Sequence, residues 1–280
     1  MTLLAARAGE RRPNPGLGRV SGIRATIAPM TASTEQVIPD LSEPDDLTPV
    51  VLDVWSDIAC PWCWIGHTRL AQTIATQPVG TVVVRHRGFE LQPDMASEGV
   101  AARPFFEHRF GSADAVAEGF GRVAAVGAEL GLVFNFDAMP KAPNSRLAHR
   151  AVLISDQTVQ LAALHSLFEA YFSSGLDITD VDVVAAVVAA ATGADTEDLR
   201  ARLLAGDGED AMERDIAKAQ DMGVSAVPTF VANNAVAVEG AQPPAVLEHL
   251  FEVARQRAAA AAAAPAGGGC GGNCNCSCGS

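Results

Sequence analysis

Apolar residues first crowd together at PVVLDVW, residues 49–55, a short β-branched run closed by Asp57. A run of this length between breakers is the pattern of a buried strand. From Cys60 to about Gln77 the spacing changes, and Ile65, Leu70 and Ile74 recur at helical intervals. Pro61 fits the first turn of that helix, where its missing N–H costs nothing. TVVVRHRGF, residues 81–89, predicts a second strand. A strand–helix–strand unit is right-handed with its strands parallel, so the pattern puts Cys60 and Cys63 at a strand-to-helix turn.

A long helical stretch follows. Val116, Phe120, Val123, Gly127 and Leu130 keep three-to-four spacing, as do Leu161, Leu164, Phe168 and Tyr171. Thr179 and Asp182 read as a capping box opening VDVVAAVVAAA. Leu199 and Leu203 mark a further short helix, and Met212, Ile216 and Ala219 one that stops at Gly223. VPTFVANNAVAVEG, residues 227–240, predicts a hairpin turning at Asn233–Asn234. The last helix opens at Pro243–Pro244 and points Val246, Leu247, Leu250 and Phe251 inward.

With the middle set aside, the order is β-α-β, then α-β-β-α, which resembles the thioredoxin fold. The expected class is α/β, a thioredoxin fold with a large all-helical insertion after the second strand. Residues 49–98 and 206–258 make the thioredoxin-like domain and 99–205 the insertion. Residues 1–48, rich in Pro, Gly, Thr and acid without an apolar period, are expected to be a disordered extension, with Met30 a candidate start. Residues 259–280 are expected to be a flexible Ala/Gly/Cys-rich tail.

Composition narrows the function. The 280 residues carry 33 acidic and 20 basic side chains, a net charge of −13. That balance argues against a nucleic-acid partner, because phosphate binding needs clustered Lys and Arg. No apolar run reaches the roughly eighteen residues of a membrane span. The N-terminal MTLLAARAGERRPNPGLGRV lacks the continuous apolar stretch of a secretory signal. A cytoplasmic location without a membrane partner is therefore expected. GFGRVAAVG, residues 119–127, lies inside a helical pattern rather than after a strand, so it is no dinucleotide loop. No organic cofactor is expected.

Of six cysteines, Cys60 and Cys63 are the only two before residue 270, and Cys270, Cys274, Cys276 and Cys278 crowd the end. A disulfide-stapled secreted domain would spread its cysteines through the fold. One pair at one spot in the body is the pattern of a working thiol pair or of two metal ligands. Residues i and i+3 on a first helical turn meet the Cα separation of a disulfide, about 4.4–6.8 Å, so Cys60 and Cys63 can open and close with little backbone movement. Cys60 sits at the helix N-terminus, where unpaired N–H groups and the macrodipole favour a thiolate. Cys63, one turn inward, is expected to be less accessible. Cys60 is then the attacking sulfur, and Cys63 resolves the mixed disulfide. A redox-active disulfide Cys60–Cys63 would carry the electrons. In GVSAVPTFV, Pro228 opens a strand that faces the CxxC helix in a thioredoxin layout. The Val227–Pro228 bond is expected to be cis, with the peptide groups before it free to pair with an extended substrate.

SDIACPWCWIG, FELQPDM, PNSRLAHR, LFEAYFSSGLDITD, GVSAVPTFV and AVEGAQP, in that order, resemble the DsbA family of thiol–disulfide oxidoreductases, and more narrowly its FrnE-like branch. The resemblance runs from about residue 50 to 255. It implies dithiol–disulfide chemistry on thiol or disulfide substrates, protein or small-molecule, with Cys60 the nucleophile, Cys63 the resolving thiol and Pro228 the cis-proline.

Exchange also needs a group to take and return the Cys63 proton. Asp57, Glu90 and Asp53 are candidates, with Asp57 favoured. Thioredoxins keep a buried Asp six residues before the first Cys, where this chain has Val54. Asn144 caps a helix on which His149 packs, or, as the resemblance suggests, this helix roofs the site with Asn144 facing it for substrate binding. His67 follows Cys63 by four residues, a metal-pair spacing that is more often a solvated histidine. Trp62 is expected to form an apolar lip for substrate and Trp64 to pack in the core or on the insertion. The four tail thiols fit a soft metal such as Cu(I) or Zn²⁺, a disulfide relay on a flexible arm, or an unselected end. Two other functions compete: a glutathione-dependent transferase or isomerase of the same fold, which would carry serine in place of the first cysteine, and a zinc-binding module, for which the body lacks a second cysteine pair.

Overall fold

The structure is a computed structural model and describes residues 49–263. The expectations for residues 1–48 and for Cys270, Cys274, Cys276 and Cys278 lie outside the described residues. The first run forms β1 (Val50–Ser56), followed by α1 (Pro61–Ala75) and β2 (Val82–Gly88). β1 and β2 pair in parallel, from Val50 opposite Val82 to Ser56 opposite Gly88. Along β1 successive side chains point to opposite faces, as the strand period requires. Val50, Leu52 and Val54 join one apolar cluster, and Trp55 joins another.

The insertion begins with a two-residue strand, β3 (Val100–Ala101), and continues with α2 (Ala102–Phe110) and α3 (Ala113–Ala128). A single 3₁₀ turn (Phe136–Ala138) leads to β4 (Lys141–Ala142), which pairs antiparallel with β3. Then come α4 (Arg146–Leu153), α5 (Gln160–Phe172), α6 (Val181–Thr192) and α7 (Thr196–Leu204). The insertion is thus helical apart from one short ladder. α6 is capped differently from the expectation. Asp180, not Thr179, accepts the Asp182 N–H at 2.8 Å, while the Thr179 hydroxyl turns back onto Asp177 at 2.6 Å.

α8 (Glu209–Asp221) returns the chain to the sheet, where the hairpin β5 (Thr229–Ala232) and β6 (Val236–Glu239) completes the strand order β2-β1-β5-β6. β5 runs antiparallel to β1, with Trp55 opposite Thr229. Asn233 and Asn234 both take positive φ, 51° and 53°, which a tight two-residue hairpin turn demands. α9 (Pro244–Ala263) closes the fold. Leu247, Leu250 and Phe251 are buried with Leu70 of α1 against β1 and β5, but Val246 is exposed, contrary to its expected inward position. The helix also continues past residue 258 into the alanines, because alanine is the strongest helix former. No helix among the described residues is long and apolar enough to cross a membrane.

The two halves share a core at one point. Ile58, Cys60, Cys63 and Trp64 belong to the same apolar cluster as Leu164, Phe168 and Phe172 of α5. Trp64 lies parallel to Phe168 and Phe172 at 6.3 and 6.1 Å and meets Phe134 edge-on at 5.0 Å. The start of α1 is therefore held from below by its own sheet and from the side by the insertion.

Candidate active site

Cys60 is the N-cap of α1, with extended backbone (φ −100°, ψ 113°) and Pro61 behind it as the first helical residue. The Cys63 N–H donates to the Cys60 carbonyl at 3.0 Å, so both sulfurs sit on the first turn. Cys63 is fully buried, and Cys60 keeps 6% of its surface. Burial pushes the Cys63 thiol well above its ordinary range, and its hydrogen bond to Cys60 and the charge on that sulfur push it further. Cys63 is the sulfur that holds its proton.

The Val227–Pro228 bond is cis, and the Val227 carbonyl faces the Cys60 sulfur at 3.9 Å. Gly66 makes this approach possible: a Cβ there would lie 2.8 Å from Pro228 Cγ. Val227 stands just beyond the β5 ladder, whose last pairs are formed by Thr229 with Trp55 and Glu239. Trp62 stands 39% exposed. Beside Cys60 and Trp62 opens a cavity of about 330 Å³, lined further by Phe106 of α2, Phe120 of α3, Pro143 and Tyr171.

Asp57 lies in the β1–α1 turn and is buried. Its Oδ1 accepts the Ala59 N–H at 2.8 Å and its Oδ2 the Leu91 N–H at 2.7 Å, and His149 Nε2 lies 3.7 Å from Oδ1. Burial alone would raise this carboxyl. Hydrogen bonding from His149 and its charge, with the Leu91 N–H and Ser145, outweigh that and hold it below the ordinary range. The Asp57 charge is also close enough to Cys63 to help keep that thiol protonated.

The sequence matches the family model for the DSBA-like thioredoxin domain over residues 51–252. The chain belongs to the DsbA family. A crystal structure of a probable DsbA oxidoreductase from Streptomyces coelicolor is 29% identical, with a TM-score of 0.66 over 73% of this chain and 89% of the other. The cytosolic disulfide reductase DsbM from Pseudomonas aeruginosa, solved with GSH, is similar in fold at 17% identity and a TM-score of 0.51, covering 76% of this chain and 98% of its own. So is a 2-hydroxychromene-2-carboxylate isomerase, at 13% and 0.54, over 75% and 98%. No curated protein matches the chain. This DsbA-family member is a thiol–disulfide oxidoreductase, and Cys60 and Cys63 are its cysteine pair.

The other candidates divide clearly. Asp53 is occupied by three cations, Arg85 at 2.7 Å, Arg87 at 3.0 Å and Lys218 at 2.7 Å, on the sheet face away from the cysteines. Glu90 is clasped by Arg146 at 2.7 Å. Asn144 spends its amide on backbone, donating to the Met95 carbonyl and accepting the Arg146 N–H. The roof over Cys60 comes from α2 and α3, and α4 instead brings His149 to Asp57. His67 is not solvated: it is buried, with Nε2 2.6 Å from Ser56 Oγ. Among the described residues no three His, Cys, Asp or Glu side chains are placed to hold a metal ion. From the sequence His149 was expected only to pack on its helix, and His86 had no role. A histidine carries no sign of burial in its own letter, and the PNSRLAHR motif was the only signal.

Proposed function

We propose that this DsbA-family enzyme exchanges disulfides with protein or small thiol substrates through Cys60, in a reducing cytoplasmic setting. Cys60 exchanges with the substrate sulfur to give a mixed disulfide, Cys63 closes on Cys60, and the substrate thiol leaves. The oxidised form is the Cys60–Cys63 disulfide. Val227 offers its free peptide edge to an extended substrate, Trp62 flanks it, and Asp57 carries the Cys63 proton. The observation that carries this reading is the front sulfur at a helix N-cap against the cis Val227–Pro228 carbonyl, with a fully buried second thiol one turn behind. The FrnE-like placement rests on the sequence motifs. A glutathione-dependent transferase is the second reading, because the cavity beside Cys60 is of a size to admit a small thiol.

Reduction of insulin and oxidation of reduced ribonuclease test the choice. Cys60→Ser is expected to abolish both. Retained, glutathione-dependent turnover in Cys60→Ser would favour the transferase.

A further inference from the structure

The cavity beside Cys60 is lined by charge of one sign. Trp62, Phe105, Phe106, Phe110, Phe120 and Tyr171 make its aromatic walls, and its charged side chains are Arg109 and Arg122, with no acid among the lining residues. The chain as a whole carries −13, so two cations without an anion run against the bulk charge. Arg109 is exposed in the last turn of α2. Glu107 of the same helix is taken by Arg103, and among the described residues no acid lies within ion-pair distance of Arg109. Arg122 of α3 meets Glu118 one turn back, but both are exposed, and such a surface pair is held weakly. Trp62, Leu91 and Phe110, all in the lining, are exposed large apolar side chains, and apolar side chains that cluster on a surface mark a binding site.

Gly119 keeps the space open. It lies inside α3, where glycine weakens a helix relative to alanine. A Cβ on it would meet only Arg122 Nη2 and Phe110 Cε1, each at 3.9 Å. One point on the wall therefore has a guanidinium and an aromatic ring within reach. The two helices that carry the arginines are held by ring contacts: Phe106 meets Phe120 edge-on at 5.1 Å, and Phe110 meets Phe120 at 6.3 Å.

We propose that this cavity receives one half of a low-molecular-weight disulfide with an aromatic body and a carboxylate, and that Arg109 and Arg122 are the specificity-determining residues that pair with the carboxylate. The proposal rests on the oxidoreductase reading and names a substrate class for it. Aromatic walls favour an aromatic guest, and the guanidinium fork matches a carboxylate. The volume, about 330 Å³, suits a small molecule, whereas an extended peptide has its place at the Val227 edge. Cys60 is part of the wall, so the guest's sulfur meets the attacking sulfur. The Cys60 thiolate attacks one sulfur of the aryl disulfide. That S–S bond breaks, one aryl thiolate leaves with the electron pair, and the other half stays joined to Cys60. Cys63, deprotonated, then attacks Cys60 Sγ, and the second aryl thiolate leaves. The two thiols are oxidised to the Cys60–Cys63 disulfide and the aryl disulfide is reduced to two thiols, the two cysteine protons passing to the departing sulfurs or to water.

The test is quenched-flow capture at Cys60 in the full-length Cys63→Ser chain, with the Cys60 peptide measured by mass so that the other thiols do not enter. The reagents are dithiobis(nitrobenzoate), with a carboxylate on each ring, dithiodipyridine, aromatic and uncharged near neutral pH, and cystamine, aliphatic and cationic. Each rate is divided by the rate of the same reagent with N-acetylcysteine. Adding Arg109→Gln or Arg122→Gln is expected to lower the preference for the carboxylated reagent over the neutral aromatic one about threefold to fivefold. Adding Gly119→Leu, whose side chain would fill the cavity, is expected to lower the preference for both aromatic reagents over cystamine about tenfold. A cation that only stabilised the Cys60 thiolate would act on both aromatic reagents alike, so equal slowing in the arginine variants, or no change, would overturn the inference. Carboxylate selectivity that persists in Gly119→Leu would place the anion outside the cavity and overturn it too. So would a preference for an acidic peptide disulfide that survives Gly119→Leu, which would make the occupant a protein chain. Each of these leaves the oxidoreductase reading standing, provided that cystamine captures Cys60. No adduct at Cys60 from any reagent would remove both.

Discussion

Asp57 holds the turn before Cys60 through two short bonds from backbone N–H groups, at Ala59 and Leu91. A fully buried N–H left unpaired costs about 1–3 kcal/mol, and these two bonds are part-buried. Asp57→Ala is therefore expected to lower the unfolding free energy by about 1–3 kcal/mol in all, read by urea denaturation, and to slow resolution by Cys63 as well. Unchanged stability would show that water replaces the carboxylate. Its folded pKa is depressed, so its contribution is complete above the unfolded value of about 3.9 and is lost as the pH falls through the folded one. At this scale the cysteines and Pro228 were legible because each is tied to a place: a helix N-terminus, the next turn, a strand start. Asp57, Asp53 and Glu90 could not be ranked beforehand, since three acids on neighbouring segments differ only in which cations reach them. Asp53 meets Arg85, Arg87 and Lys218, and the last lies far away in sequence.

The element that decides the site is α1, and its fit against the Pro228 loop depends on Gly66. Alanine there adds about 1 kcal/mol of helix propensity. Its Cβ, however, would lie 2.8 Å from a rigid proline ring and 3.3 Å from Phe230 Cζ, and overpacking costs about 1–3 kcal/mol. Gly66→Ala is expected to change stability little and to cut insulin reduction several-fold, because the clash moves Pro228. Wild-type turnover in this variant would mean that the loop's position does not matter. Strong periodicity made β1, α1, β2, α5 and the final hairpin legible. The helix α2 was not read, because ARPFFEHRF has too few turns to show a period and its Phe105, Phe106 and Phe110 serve one another and the cavity rather than a continuous stripe. Val246 fits the helical spacing yet faces out, since the buried face of α9 is narrower than the apolar pattern.

Across the whole molecule, three buried or largely buried histidines stay neutral. His67 is lowered to about 3 by burial and by His165, and His86 and His165 are lowered by burial as well. Their folded values lie below the unfolded one, about 6.5, so the unfolded chain binds more protons between those limits. Stability is then full above about pH 6.5 and falls as the pH drops, by about 1.4 kcal/mol per pH unit for each histidine. Thermal melts from pH 7 to pH 4 are expected to show this decline, and His67→Gln to make it shallower. A flat profile would mean that these rings are charged in the folded state. The fold as a whole was legible from element order, but the packing of the insertion against α1 was not, because the Trp64 contacts join residues about a hundred positions apart.

The division of work between the two sulfurs is tested most directly by incubating Cys63→Ser with oxidised glutathione and mapping the product by peptide mass. The account predicts a lasting glutathione adduct on Cys60, where the wild type passes on to the Cys60–Cys63 disulfide. A Cys60 that stays unmodified, or an adduct that clears from the variant as fast as from the wild type, would contradict it.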